Sequence, residues 1–98
     1  MRPEGTPSIL TRAPALDRAL VDLAAYYRDV LVVQLGAAQR VGLVNVDLAE
    51  PIGALARTSS PEATLRRIES VLAARVALEA NVAPLLAVES MALALSTG

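Results

Sequence analysis

The side chains that most often carry enzyme chemistry are scarce in this chain. It contains no His and no Cys, so the commonest metal ligand and general base and all thiol nucleophiles are missing. Nine Arg and no Lys leave no lysine for a phosphate-binding loop. The ten acidic residues are scattered singly, each near an Arg on its own predicted helix, which favours solvated or salt-bridged roles. We expect no catalytic residue, no metal site and no cofactor, and therefore not an enzyme.

The cations do not form a nucleic-acid-binding surface. The formal net charge is −1, and a polyanion partner requires a basic stripe. The one local cluster contains Arg66, Arg67 and Arg75, and it is interrupted by Glu62, Glu69 and Glu79. The sequence therefore predicts no direct nucleic-acid contact.

Four polar residues stand out by their positions. Tyr26 and Tyr27 point about 100° apart on a helix, so one ring can pack inside while the other meets the surface or a partner. Glu89 lies in an apolar segment, where a buried carboxylate needs hydrogen-bond donors. We expect an Arg or the N–H groups of the 81–84 turn to supply them. Asn81 is expected to end one helix or cap the next.

The elements that must position these residues are helical. Ala, Leu and Val supply most of the 54% hydrophobic residues, which is typical of an all-α protein. Apolar residues at three- and four-residue spacing predict a long first helix over about 15–36, with Pro14 at its first position and Gly36 as its terminator. We interpret 1–13 as a proline-rich leader or linker, and 14–98 as one helical domain.

The middle of the chain contains one ambiguous and one sharp signal. Residues 41–47 could form a short strand, but a single strand has no partner, so we predict a loop in which Asn45 and Asp47 bond nearby backbone. Asp47 would cap a short helix over about 48–56, with Pro51 in its first turn. The run Thr58-Ser59-Ser60-Pro61-Glu62 predicts a helix start, with Ser59 and Glu62 spaced as in a capping box.

Two further helices follow. The first extends to about Ala80, and its expected buried face comprises Leu65, Ile68, Val71, Leu72, Val76 and either Leu78 or Glu79, while Glu62–Arg66 and Arg75–Glu79 pair on its outer face. The second, about Pro84–Leu95, is apolar nearly all round, which indicates a central helix or an interface. No apolar run reaches the ~18 residues of a membrane span, and the first residues lack a signal-peptide pattern. We expect a cytoplasmic protein.

The order of these motifs resembles the C-terminal domain of bacterial DNA polymerase III clamp-loader subunits, delta-prime first and gamma/tau next. The first long helix carries Tyr26-Tyr27-Arg28-Asp29. Asn45 and Arg75 follow, and then Asn81-x-x-Pro84 before an apolar helix that contains Glu89. The likeness covers about residues 15–95.

The resemblance implies a bundle of about five helices that packs with its counterparts into a ring-shaped collar. It also implies that residues 1–13 join this domain to a missing N-terminal region. The partners of the domain would be the other clamp-loader subunits, gamma/tau and delta, and the domain would have no catalytic role. The expected interface is the last helix with one flank of the first, through Tyr26, Leu86, Met91 and Leu93. The alternative is a free-standing small helical protein, either a homo-oligomeric regulator or a ligand-binding bundle.

Overall fold

A computed structural model of the chain describes residues 5–80 and 83–97, with side chains described from residue 14 onward. These ranges contain helices and no strand, which confirms the all-α prediction. The elements are α1 (Gly5–Gln34), α2 (Ala38–Val41), a 3₁₀ turn (Val46–Leu48), α3 (Ala49–Thr58), α4 (Pro61–Glu79) and α5 (Pro84–Thr97). None of the described helices is both long and apolar enough to cross a membrane.

Helix α1 begins earlier than predicted. It starts at Gly5, so the expected start at Ala15 and the expected extended backbone before it are wrong for residues 5–13. Pro14 lies inside the helix rather than at its first position. Pro7 falls in the first turn, where the N–H groups have no intrahelical acceptor and proline costs little. Only Pro14 removes an internal hydrogen bond, and the remaining bonds of a 30-residue helix hold the backbone helical.

Helix α1 is terminated by Gly36, as the sequence predicted. Gly36 adopts a φ of +71°, in the left-handed region that a residue with a side chain avoids. The Gly36 N–H donates to Val33 O and the Ala37 N–H donates to Val32 O, each at 3.0 Å. This pair of bonds is the Schellman pattern, which satisfies carbonyls that the helix itself leaves free.

The connection from α1 to α3 is a loop with two helical turns, not a strand. The expected cap at Asp47 is wrong, because Asp47 lies within the 3₁₀ turn and the N-cap of α3 is Leu48, without a side-chain bond. Continuation of the 3₁₀ turn into α3 supplies backbone geometry at this start, so no side-chain cap is used. Pro51 lies in the first turn of α3, as predicted.

The start of α4 is fixed by Ser60 and Pro61. The Ser60 Oγ accepts a hydrogen bond from the Ala63 N–H at 3.0 Å, and Pro61 is the first helical residue. The predicted capping box on Ser59 and Glu62 is wrong by one residue, since Ser59 Oγ instead donates to Leu55 O of α3. The N3 position is therefore Ala63, whose methyl group cannot return the bond.

Replacing Ser60 by Ala is expected to lower the free energy of unfolding by about 1 kcal/mol, because the Ala63 N–H loses its acceptor. Ser70→Ala is the matched control. The Ser70 hydroxyl donates to Arg66 O within α4, a mid-helix bond whose loss to a better helix former should be close to neutral. Urea unfolding followed by circular dichroism measures both variants. Equal midpoints for the two would show that Ser60 does not cap the helix.

The core lies between α1 and α4. Helix α1 packs most extensively on α4 and also on α3, and α5 packs on α4. Leu20, Val71 and Ala74 form the buried cluster, and around it pack Leu23, Ala24, Tyr27, Leu78, Met91 and Leu95. At the other end of α1, Val30 and the α3 residue Ile52 are fully buried. The molecule measures 56 × 25 × 18 Å, and its length reflects α1, which spans about 45 Å.

The buried face of α4 is rotated relative to the prediction. Its buried residues are Thr64, Val71 and Ala74, and the expected Leu65, Leu72 and Val76 are exposed. Of the residues predicted to be buried, Val71 is buried, and Ile68 and Leu78 are partly buried. Val71 and Ala74 pack with Leu20 of α1, and the side chains of Leu65, Leu72 and Val76 turn outward. A rotation of one residue, about 100°, separates the two faces.

Candidate functional site

Asp29 is the anchor of the α1–α3 connection. Its side chain is fully buried in the last third of α1. One oxygen accepts hydrogen bonds from Arg28 Nη1 at 2.7 Å and the Val44 N–H at 3.0 Å. The other accepts from the Asn45 N–H at 2.7 Å and Asn45 Nδ2 at 3.0 Å. We refer to these four residues as the Asp29 network.

Burial and hydrogen bonding oppose each other at this carboxylate. Burial acts to raise the pKa of Asp29, but the bonds from Val44, Asn45 and Arg28 outweigh it, so the pKa lies below its usual value. Asp29 is therefore ionised at neutral pH, and its charge is compensated by four donors. Arg28 also donates to Gly42 O at 3.0 Å, which ties a second point of the loop to α1.

The structure brings together three residues of the predicted motif: Arg28, Asp29 and Asn45. The predicted role of Asn45, bonding nearby backbone, is wrong, because its amide reaches the Asp29 carboxylate on another element. Tyr27 packs against the core cluster. Tyr26 is partly buried, and its ring meets that of Tyr27 edge to face at a centroid distance of 5.8 Å.

Arg75 links α4 to the N-terminal half of α1. Its Nε donates to Asp17 Oδ1 at 2.8 Å and its Nη2 to Asp17 Oδ2 at 3.2 Å. The hydrogen bond from Arg75 lowers the pKa of Asp17 and raises that of Arg75. The main partner of Arg75 is therefore Asp17, in a bidentate pair, and not the predicted Glu79. The fork geometry of this pair fixes the register of the two helices.

At the C-terminal end of α1, Gln34 links this helix to the connection between α3 and α4. Its Nε2 donates to Ser59 O at 3.0 Å and Ser59 Oγ at 3.2 Å. Sequence reasoning missed both Gln34 and Asp17 as tertiary contacts. The partners lie 25 and 58 residues away, and helical spacing contains no signal for pairs at such separations.

A groove lies between α4 and α5. Its volume is about 270 Å³, and small or apolar side chains line it, including Ala73, Ala77, Leu86, Ser90, Met91 and Ala94. Small residues allow another helix to approach closely. The groove contains no charged side chain, so it is suited to apolar contact rather than to catalysis.

Helix α5 lies at the periphery, so of the two predicted alternatives, a central helix or an interface helix, the first is wrong. Ala87 is its one buried residue within the described part, whereas Leu86 is 56% and Leu93 71% exposed, and Leu85 is also exposed. Pro84 starts the helix, as predicted. Met91 is partly buried against the core. The predicted interface residues Leu86, Met91 and Leu93 thus lie on α5, and Tyr26 lies on α1.

Two other predicted site residues differ in outcome. Glu89 is exposed beside Ala92 and Leu93, so the expectation of a buried, hydrogen-bonded carboxylate is wrong. The extensive packing of α5 is on α4, so the opposite face of α5 remains open to water. Glu89 therefore needs no hydrogen-bond donor from the protein interior. Asn81 lies outside the described residues. The residues that the structure describes contain no group of three or more acidic, His or Cys side chains that could hold a metal ion.

Comparison with known proteins identifies one family. A family model described as DNA polymerase III, delta subunit, C terminal, matches residues 9–97. No curated protein and no solved structure matches the chain.

Proposed function

Since the chain belongs to the family formed by the C-terminal domain of the DNA polymerase III delta subunit, we propose that it acts as a collar domain, holding clamp-loader subunits in a ring. It is a DNA polymerase III clamp-loader domain, and such domains are generally non-catalytic. The proposal concerns how this domain contributes to the assembly and which subunit it comes from.

The exposed apolar face of α5 is the observation that carries the proposal. Leu85, Leu86 and Leu93 are each more than half exposed, and Leu86 lines a groove that contains no charged side chain. The exposed Glu89 lies between Leu85 and Leu93 on the same side of the helix, because these residues are four apart. Apolar surface exposed in one area of a small domain is typical of a protein–protein interface. Burial of this face against another subunit would remove it from water and supply the driving force for assembly.

Contacts between helices set the orientation of the proposed contact face. Arg75 and Asp17 fix α4 on α1, and α5 packs on α4. The orientation of the α5 face is thereby set by α1. A rigid contact face loses little conformational entropy on association. The domain would thus hold its neighbour at a defined angle, which a ring requires.

The subunit that fits best is delta-prime, and we include this in the proposal. The motif order, from Tyr27-Arg28-Asp29 to Pro84, supports delta-prime before gamma/tau. The family is named for the delta subunit, which makes delta the second candidate. The expected partners of a delta-prime domain are the C-terminal domains of gamma/tau and delta.

A replacement experiment tests this proposal. The C-terminal domains of gamma/tau, delta and delta-prime from the source organism are mixed with one omitted each time, and this chain is added. We expect it to restore the full assembly when delta-prime is omitted. Restoration in place of delta would assign the domain to delta instead. Failure to restore any mixture would refute a collar function.

A further inference from the structure

One charged residue interrupts the exposed apolar face of α5. The sequence of α5, Pro84–Thr97, contains a single charged side chain, that of Glu89. Leu85 and Leu93 lie four residues before and after it, so all three point to the same side of the helix. Each of them is exposed, and the two leucines flank the carboxylate at about 6 Å along the helix axis. Glu89 therefore lies in the middle of the face that we propose as the contact with another subunit.

Glu89 has no partner within the described part of the chain. No ion pair between described residues involves it. The arginine nearest to it in sequence is Arg75, whose Nε and Nη2 donate to Asp17 on α1. With Ala92 and Leu93, Glu89 lines an open hollow on α5. Its carboxylate is thus in contact with water in the isolated domain and available to a group from another molecule.

An interface that covers Leu85 and Leu93 must also cover Glu89, which lies between them. A carboxylate withdrawn from water is costly unless a charge partner and hydrogen-bond donors compensate it. A purely apolar partner surface would leave Glu89 buried without a donor and would oppose the contact that the leucines favour. A cationic side chain on the partner removes this cost, and arginine suits it best because its planar fork matches a carboxylate.

A second copy of the chain does not supply this cation. Helix α5 contains no Arg and no Lys, and Glu89 is the sixth of its 14 residues, close to the middle of the helix. In a two-fold symmetric pair of α5 helices, the residues near the axis meet their own copies. The two Glu89 carboxylates would then lie close together, and like charges that face each other disfavour a contact. The face is better suited to a different partner than to self-association.

We infer that Glu89 determines the specificity of the α5 face, because its carboxylate pairs with an arginine or lysine of the neighbouring clamp-loader domain. This inference rests on the proposed function and deepens it by stating the chemistry of the partner. The occupant of the face is a domain that presents a cationic side chain to the middle of α5. A domain with a neutral or acidic surface at that point is rejected.

The test changes the charge at position 89 and measures binding. The probes are the C-terminal domains of gamma/tau and of delta from the source organism, titrated separately, and the partner of the α5 face is the one that Leu86→Asp loses. Against this partner we expect Glu89→Gln to bind about tenfold more weakly than wild type and Glu89→Lys about a hundredfold. Glu50→Lys is the matched control. Glu50 is an exposed carboxylate on α3, a helix that packs on α1, so this variant should bind within about twofold of wild type.

A charge-reversal rescue separates direct pairing from a structural role. Each exposed Arg and Lys of the partner domain is changed to Glu, one at a time, and titrated against Glu89→Lys. We expect one of these variants to restore binding to within about tenfold of the wild-type pair, because the two charges are then exchanged. Melting temperatures within about 2 °C of wild type show that the variants are folded.

The outcomes separate this inference from the proposed function. If Glu89→Lys binds as wild type does, or if no partner variant restores its binding, the inference is overturned and the collar function stands. If the wild-type chain binds neither domain, both are overturned. If the domains bind but Leu86→Asp weakens neither, α5 is not the contact face and the inference is overturned with that assignment. A wild-type homodimer that Leu86→Asp abolishes would show a second copy on this face and would also overturn the inference.

Discussion

Asp29→Asn is expected to lower the free energy of unfolding by about 3 kcal/mol, because its amide group cannot accept the four bonds of the carboxylate. All four partner groups are donors. The asparagine would present one oxygen and one NH₂ group, so at least one buried N–H would face another donor. For a chain of this size the melting temperature should fall by about 10–20 °C. The Val44 and Asn45 amides should also lose hydrogen-exchange protection.

Asp22→Asn is the matched control for this variant. Asp22 lies on the same helix with its side chain 70% exposed, 3.6 Å from Arg18, and an exposed pair of this kind contributes little. Calorimetry and amide exchange by NMR measure both variants. If Asp29→Asn melts within 2 °C of Asp22→Asn, the network does not stabilise the fold.

Acid should reduce the difference between wild type and Asp29→Asn. The pKa of Asp29 is lowered in the folded state, so its stabilising effect is present above the unfolded pKa, about 3.9, and is lost as the pH falls through the folded pKa. The Asp29→Asn variant lacks this titrating carboxyl group, so its free energy of unfolding should fall less steeply than that of wild type as the pH is lowered. Urea midpoints between pH 7 and pH 2.5 test this, and parallel curves for the two proteins would contradict it.

Leu86→Asp is expected to weaken binding to the partner at the α5 face at least a hundredfold, while the isolated domain stays folded. Leu86 is more than half exposed and lines the groove, so a carboxylate at this position keeps access to water in the isolated domain. In the complex, the carboxylate would be buried among Ala and Met side chains without a donor. A hundredfold change corresponds to about 2.7 kcal/mol, within the range of a central interface residue.

Val21→Asp provides the control for Leu86→Asp, because it places the same charge on an exposed valine of α1. Isothermal titration of each variant against the gamma/tau and delta domains gives the affinities. Unchanged binding by a folded Leu86→Asp would show that α5 is not the contact face, and the interface prediction for Leu86, Met91 and Leu93 would then be wrong.

The sequence predicted best those elements whose ends are encoded locally. Gly36 closes α1 through its own positive φ, Ser60 and Pro61 open α4, and Pro84 opens α5. Each signal acts within about four residues, so it can be interpreted without the rest of the fold. The family motif likewise included Arg28, Asp29 and Asn45, three residues that the structure brings together.

The buried faces of the helices and the contacts between helices could not be predicted in this way. With 54% hydrophobic residues, nearly every face of α4 and α5 contains apolar side chains, so periodicity does not select the buried one. In the structure, Val71 and Ala74 pack with Leu20 of α1, and Thr64 is also buried. Glu89 seemed enclosed by apolar neighbours in sequence, yet it lies on the open side of α5. The pairing of Asp17 with Arg75 depends on tertiary contact alone.

Light scattering coupled to size exclusion tests the central claim most directly. The chain is measured alone and then mixed with the gamma/tau and delta C-terminal domains from its own organism. The account predicts one peak that contains all the domains, with the mass of a defined hetero-oligomer. A stable homodimer that leaves both partners unbound would contradict it and would favour a free-standing helical homo-oligomer.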